Sequence, residues 1–246
     1  MRNNALLIVA LFGLLSGSTG CLLAGNYHSA KTLAKGESSF GMNFSATTYS
    51  VDGGAITLPN VIPEITYHVG LTDNLEIGGR VGIGSLAMEG DNKYRFLRSP
   101  NLHMAIAPSI GAQTLILISG TSLKLPVIAT YELADNVAVT GSLFGISTRY
   151  SNATGDDSDD DLAVFGGSLV GTGASIGLEF SGSVFAIRPA VEFTNYSISI
   201  DDADDSFEAF NTVNFMVHIA FIGGREKQQL DRIENMLLQG GQQQPY

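Results

Sequence analysis

Tryptophan is absent and cysteine occurs once, at Cys21, so no disulfide framework can form within the chain. Charge is scarce as well. Charged residues make up 15% of the 246 positions, against roughly 25% in soluble domains. The 13 Lys and Arg are outnumbered by 24 Asp and Glu, for a net charge of -11. Nothing in that balance would neutralise a phosphate backbone, which excludes nucleic acid as a partner. Beyond the first residues no apolar run approaches the ~20 that a membrane helix needs. What the chain has instead is glycine, 29 residues of it, and a long alternation of apolar with small polar side chains.

Met1 to Gly20 has the layout of a secretory signal, with Arg2 as the positive start, Ala5 to Leu15 as the apolar core and Ser16 to Gly20 as the small-residue end. Ser18-Thr19-Gly20-Cys21 resembles a bacterial lipobox, which implies lipid attachment at Cys21. Ser18 departs from that pattern, where a branched apolar residue is usual, and ordinary cleavage near Gly20 is the alternative. The expected organisation is a signal peptide over 1–20, an N-terminal tether over 21–37, a β-domain over 38–223, and a C-terminal helix and tail over 224–246. The helix is expected over Arg225 to Gln239, where Leu230, Ile233 and Leu237 share one face.

From Phe40 onward the period is two, the signature of strands. Leu75, Ile77 and Val81 oppose Glu76 and Arg80. Leu123, Leu125 and Val127 oppose Lys124 and Ile128. Val213, Phe215, Val217 and Phe221 oppose Asn214, Met216, His218 and Ala220. Such stretches number about ten, the least distinct around Tyr94 to Arg98. Short turns at Thr72-Asp73-Asn74, Ser99-Pro100-Asn101, Ala134-Asp135-Asn136 and Ser181-Gly182-Ser183 alternate with longer expected loops. Those loops are Ser50 to Val61, Glu89 to Asn92, Thr114 to Gly120, Asn152 to Gly166 and Asp201 to Thr212. Pro108, Pro126 and Pro189 fall inside expected strands, where each removes a ladder donor and marks a bulge or a strand start.

Composition indicates which face is inside. A solvated strand face is rich in Lys, Glu and Thr, whereas here the polar face is Gly, Ala, Ser and Thr with isolated charges of both signs. Glu64, Glu76, Arg80, Lys124, Glu132, Glu179, Arg188 and Glu192 are expected to pair inside a narrow polar lumen, since buried charges need partners. Phe40, Tyr131, Phe180, Phe185 and Phe221 would form an interfacial girdle near the short-turn rim. The signal peptide, the alternating strands and the final Asn214–Phe221 strand, closing on an aromatic, resemble bacterial outer-membrane β-barrel proteins. The resemblance covers about Ser38 to Gly223. It implies an all-β fold: a transmembrane antiparallel up-and-down β-barrel of about ten strands, with a short C-terminal helix appended. It also implies a bacterial outer-membrane location with periplasmic termini, and the outer-membrane lipids and the barrel-assembly machinery as partners.

The function expected on these grounds is non-enzymatic: a small pore, a surface-loop binder or a structural element, with no cofactor. Two alternatives stay open, an outer-membrane barrel enzyme acting on lipid or peptide and a soluble periplasmic β-barrel or sandwich lipoprotein. An enzyme would need a histidine beside a serine or an acid at one rim, and no local pairing of that kind stands out. The acidic cluster Asp156, Asp157, Asp159, Asp160 and Asp161 is a candidate Ca²⁺ loop by its carboxylates. It lacks the glycine and distal glutamate of an EF-hand, so a solvated loop is the simpler account.

Overall fold

The computed structural model describes residues 28–51, 54–82, 86–115, 118–152, 167–200 and 207–224. Every regular element there is a strand: β1 (Ser38–Val51), β2 (Gly54–Thr72), β3 (Leu75–Gly82), β4 (Ala87–Arg98), β5 (Leu102–Ile106), β6 (Ser109–Leu115), β7 (Ile118–Ala134), β8 (Val137–Asn152), β9 (Gly167–Ser181), β10 (Phe185–Ile200) and β11 (Phe207–Gly223). All pairings are antiparallel, and apart from β5 and β6 each strand pairs with its neighbours in chain order. β1 pairs with β11, and the sheet closes on itself. β5 and β6 both pair with β4 on one side and β7 on the other. They are one wall strand interrupted at Ala107-Pro108, so eleven segments build a ten-strand barrel. Pro108 lacks the N–H that would continue the ladder, yet its carbonyl accepts from Asn92 N at 3.1 Å. Pro126 and Pro189 remain inside β7 and β10, opposite Phe144 and Val217.

The alternation sorts side chains as a barrel wall requires. Phe40, Ile77, Leu123, Leu125, Ile176, Phe193, Phe215, Val217 and Phe221 all face outward and are exposed, while Asn43, Glu64, Glu76, Thr130, Glu192 and Asn214, of the opposite parity, are buried inside. A soluble barrel would have the opposite arrangement. Near the short-turn rim the outward rings sit side by side, for the register joins Tyr67, Phe40, Phe221 and Phe185 across four strands. β2 and β7 run to 19 and 17 residues, well beyond the ~9–11 that cross a bilayer.

Three expected loops turn out to be strand. β1 and β2 pair out to Val51↔Gly54, which replaces the loop expected over 50–61. β6 and β7 pair to Leu115↔Ile118, inside the stretch expected as Thr114 to Gly120. Glu89 to Asn92 lies within β4. The ladder continues past the greasy band, where outward residues need not be apolar, so polar Thr, Asn and Gly segments still pair. The short turns at 73–74, 99–101, 135–136 and 182–184 are as expected. The aspartates at 156–161, the acidic stretch 201–206, Cys21 and the C-terminal helix at 225–239 lie outside the described residues.

The tether is the larger correction. Residues 28–34 pack inside the short-turn end of the barrel, with Ser29 and Ala30 buried, and exposed Lys35 and Gly36 lead to buried Glu37. Ala30 N donates to Thr130 Oγ1 at 2.8 Å, and Ala30 joins Ala105, Ala107 and Ile128 in the one apolar cluster formed by fully buried residues there. The segment then hydrogen-bonds along β2, Gly36 N to Gly70 O at 2.8 Å and Gly70 N to Glu37 O at 2.9 Å, before it enters β1.

Candidate functional site

The interior of the barrel is the site to examine, and it is built in levels from the short-turn mouth inward. At the mouth, Lys31 of the N-terminal segment places Nζ 2.7 Å from Glu179 and 3.5 Å from Glu132. Arg188 Nε donates to Glu179 at 2.7 Å from the other side. His103 lies 3.4 Å from Glu132. Lys93 pairs with Glu76 at 3.0 Å, and Glu76 also accepts from Leu33 N at 2.9 Å. The wall carboxylates therefore hold the segment by its backbone as well as by its lysine. Arg95 reaches the turn below, donating to Asn74 Oδ1 at 3.2 Å.

Deeper in, Arg80 pairs with Glu89 at 2.9 Å and Glu64 at 3.5 Å, and Asn43 Nδ2 donates to Glu64 at 3.1 Å. Lys124 pairs with Glu192 at 3.5 Å and lies 4.2 Å from the centre of the Phe144 ring. All eight charged residues singled out in the sequence line this lumen. Each has an opposite charge within 4 Å, some through residues the alternation had not flagged: Glu89, Lys93 and Lys31. Toward the far end the inward residues become aromatic. Tyr196 and Phe210 stack with centroids 5.1 Å apart, and Tyr49 stacks on Phe210 at 6.5 Å.

Paired ions within and an apolar belt without leave one solvent for the outer face. The chain is a transmembrane β-barrel. No family model matches its sequence, and no curated protein does. Solved structures do share the barrel shape. The translocator domain of the autotransporter NalP from Neisseria meningitidis is 8% identical, covering 89% of this chain and 97% of that one, with a TM-score of 0.44. Neisserial surface protein A is 9% identical over 76% of this chain and 99% of its own, at 0.41. The outer membrane protease OmpT from Escherichia coli is 10% identical over 79% and 99%, at 0.38. The assignment itself rests on the polarity and closed pairing of this barrel.

Between the N-terminal segment and the wall lies a cavity of about 280 Å³, lined by His28, Lys31, His103, Glu132, Glu179 and Arg188 among others. That is at or below the lower end of small-molecule pockets, and its lining is ionic where such pockets are mostly apolar. Burial first, and then the fields of His68, Lys93 and Arg80, push the His28 imidazole well below its ordinary value.

His218 is not placed as a general base. Thr66 Oγ1 lies 3.0 Å from His218 Nε2, and Arg188 Nη1 donates to His218 Nδ1 at 3.2 Å. A guanidinium has no acceptor, so Nδ1 carries the lone pair and Nε2 carries the proton. Nε2–H therefore donates to Thr66 and cannot take its proton, the reverse of what a general base does. His68 Nε2 instead meets Asp91 Oδ2 at 3.0 Å, beside His28. Periodicity alone could have placed Asp91 inside, for Ala87, Glu89, Asp91, Lys93 and Arg95 alternate with Met88, Tyr94 and other outward residues. Nothing in the sequence pattern could have brought His28 to it.

Proposed function

We propose that this protein is a non-enzymatic bacterial outer-membrane barrel whose lumen is closed by its own N-terminal segment, so that it acts through its outer surface and not as an open pore. The observation that carries this is the contact at 2.7 Å between half-buried Lys31 and buried Glu179, shared with Arg188. It sets a cation of the segment into a carboxylate that the wall already holds. Backbone bonds add to that contact, Ala30 N on Thr130 and Leu33 N on Glu76, so several wall side chains hold the segment in the lumen at once. The Arg80, Glu64, Glu89 and Lys124, Glu192 pairs narrow the space beyond it. About ten strands enclose little room that side chains do not already fill.

Two features leave the outer rim as the working surface. The acidic stretches 153–166 and 201–206 join strands at the end opposite the short turns, and the lumen below them is filled. A surface-binding or structural role at that rim fits both better than transport. Planar-bilayer recording of the full-length purified protein tests this. Closed or only brief, low-conductance events are expected. Sustained open channels that persist across preparations would contradict it.

A further inference from the structure

His28, carried into the lumen by the N-terminal segment, meets two wall side chains, His68 from β2 and Asp91 from β4. Asp91 Oδ2 lies 3.0 Å from His68 Nε2 and 3.9 Å from His28 Nε2. The three ligand atoms all lie within 4.8 Å of one another. The imidazoles meet edge to face, with centroids 5.1 Å and planes 86° apart, and both bring Nε2 within 4 Å of the same carboxylate oxygen. A proton on His68 Nε2 satisfies one of these contacts. The His28–Asp91 separation exceeds a hydrogen bond. Asp91 Oδ1, on a side chain 3% exposed, has no hydrogen-bond partner. Buried polar atoms are nearly always satisfied, and an orphan of this kind is explained by an ion or a water.

We propose that His28, His68 and Asp91 bind one divalent transition-metal ion. Two imidazole nitrogens with one carboxylate oxygen suit Zn²⁺, Ni²⁺ or Cu²⁺; Ca²⁺ and Mg²⁺ demand oxygen-rich shells. Bonds of about 2.0–2.2 Å to three ligands put the ligand atoms roughly 3.3 Å apart. His28 now lies 3.9 Å from Asp91 and within 4.8 Å of both partners, so it must close by roughly 0.6 to 1.5 Å, and it belongs to no strand ladder. Lys93 and Arg80 stand nearby, but Glu76 holds the first, and Glu64 and Glu89 the second. The ion would tie the N-terminal segment to two wall strands, so metal binding would stabilise the filled lumen by mass action. The site requires the segment in the lumen but not a non-conducting barrel, so the titration and the bilayer recording can fail separately.

The test is isothermal titration with Zn²⁺ of the full-length barrel in detergent, carried without a histidine tag and stripped with a chelator. Folding is checked first by heat-modifiable mobility. One saturable equivalent per barrel is expected. His28→Ala replaces no strand residue and is expected to weaken binding at least about tenfold, since even outer-shell losses cost 10- to 100-fold. Asp91→Asn is expected to do the same. Replacing Asp156, Asp157, Asp159, Asp160 and Asp161 together by asparagine is expected to leave the affinity unchanged. Absence of saturable binding, wild-type affinity in His28→Ala, or loss of the tight site in the asparagine variant would each overturn the proposal.

Discussion

A Cβ added at Gly70 would collide with the carbonyl oxygen of Ala34, and with that of Leu33 close behind it. Gly70 also exchanges two backbone hydrogen bonds with Gly36 and Glu37, so the segment cannot slide past it. Gly70→Ala should therefore destabilise the barrel by about 1–3 kcal/mol, the usual range for overpacking, and expose 28–37 to protease. Denaturant unfolding together with limited proteolysis of the folded protein measures both, and an unchanged midpoint with an intact segment would count against the packing described. Single residues were the scale at which the sequence was most informative. Glu64, Glu76, Arg80, Lys124, Glu132, Glu179, Arg188 and Glu192 each interrupt an apolar alternation, and a charge in that position has to face a lumen. Glu89, Asp91 and Lys93 follow the same parity, but consecutive polar residues around them imitate a loop. Their partners come from nearby wall strands, for Arg80 and Glu76 stand directly opposite Glu89 and Lys93 on β3, and His68 lies on β2.

Strands were legible wherever outward residues had to meet lipid. β11 shows it in full, for Val213, Phe215, Val217, Ile219 and Phe221 alternate with buried Asn214, Met216, His218 and Ala220. Where the wall rises beyond the apolar belt the outward residues lose that constraint, and β1, β2, β6 and β7 run further than their periodicity shows. The interruption of one wall strand into β5 and β6 is marked by Pro108, and the inward parity of His103, Ala105, Ala107 and Ser109 passes through it undisturbed. Phe215 lies midway along β11, outward and 53% exposed, opposite Ala46 and Val191. Phe215→Arg should cost about 2–4 kcal/mol if that point faces the bilayer midplane. Reversible unfolding from lipid vesicles reads the cost, and a near-zero change, as at a water-exposed site, would contradict the assignment of the outer face.

At the scale of the whole molecule, the pairing is closed, the outside is apolar, the inside is ionic, and the N-terminal segment fills the mouth. The first three follow from alternation and composition. The last could not be read in advance. Residues 28–37 have no period, and much of their hold is through backbone donors, Ala30 N on Thr130 and Leu33 N on Glu76, which the identity of the donating residue does not announce. Small side chains at Ser29 and Ala30 let the segment fit against Ile128, Ala105 and Ala107, but small residues at an N-terminus equally suit a tether.

Placement of that segment is the central claim, and the lone cysteine of the sequence makes it directly measurable. In a Cys21→Ser background, Ser29→Cys puts one thiol at a position 2% exposed in the folded protein, with Ser183→Cys at an exposed turn as the control. Reaction with a bulky maleimide should be rapid at position 183 in the folded barrel, and at both positions after unfolding. It should be slower by orders of magnitude at position 29 while the barrel is folded. Equal rates at the two positions in the folded protein would mean that the N-terminal segment hangs free of the barrel.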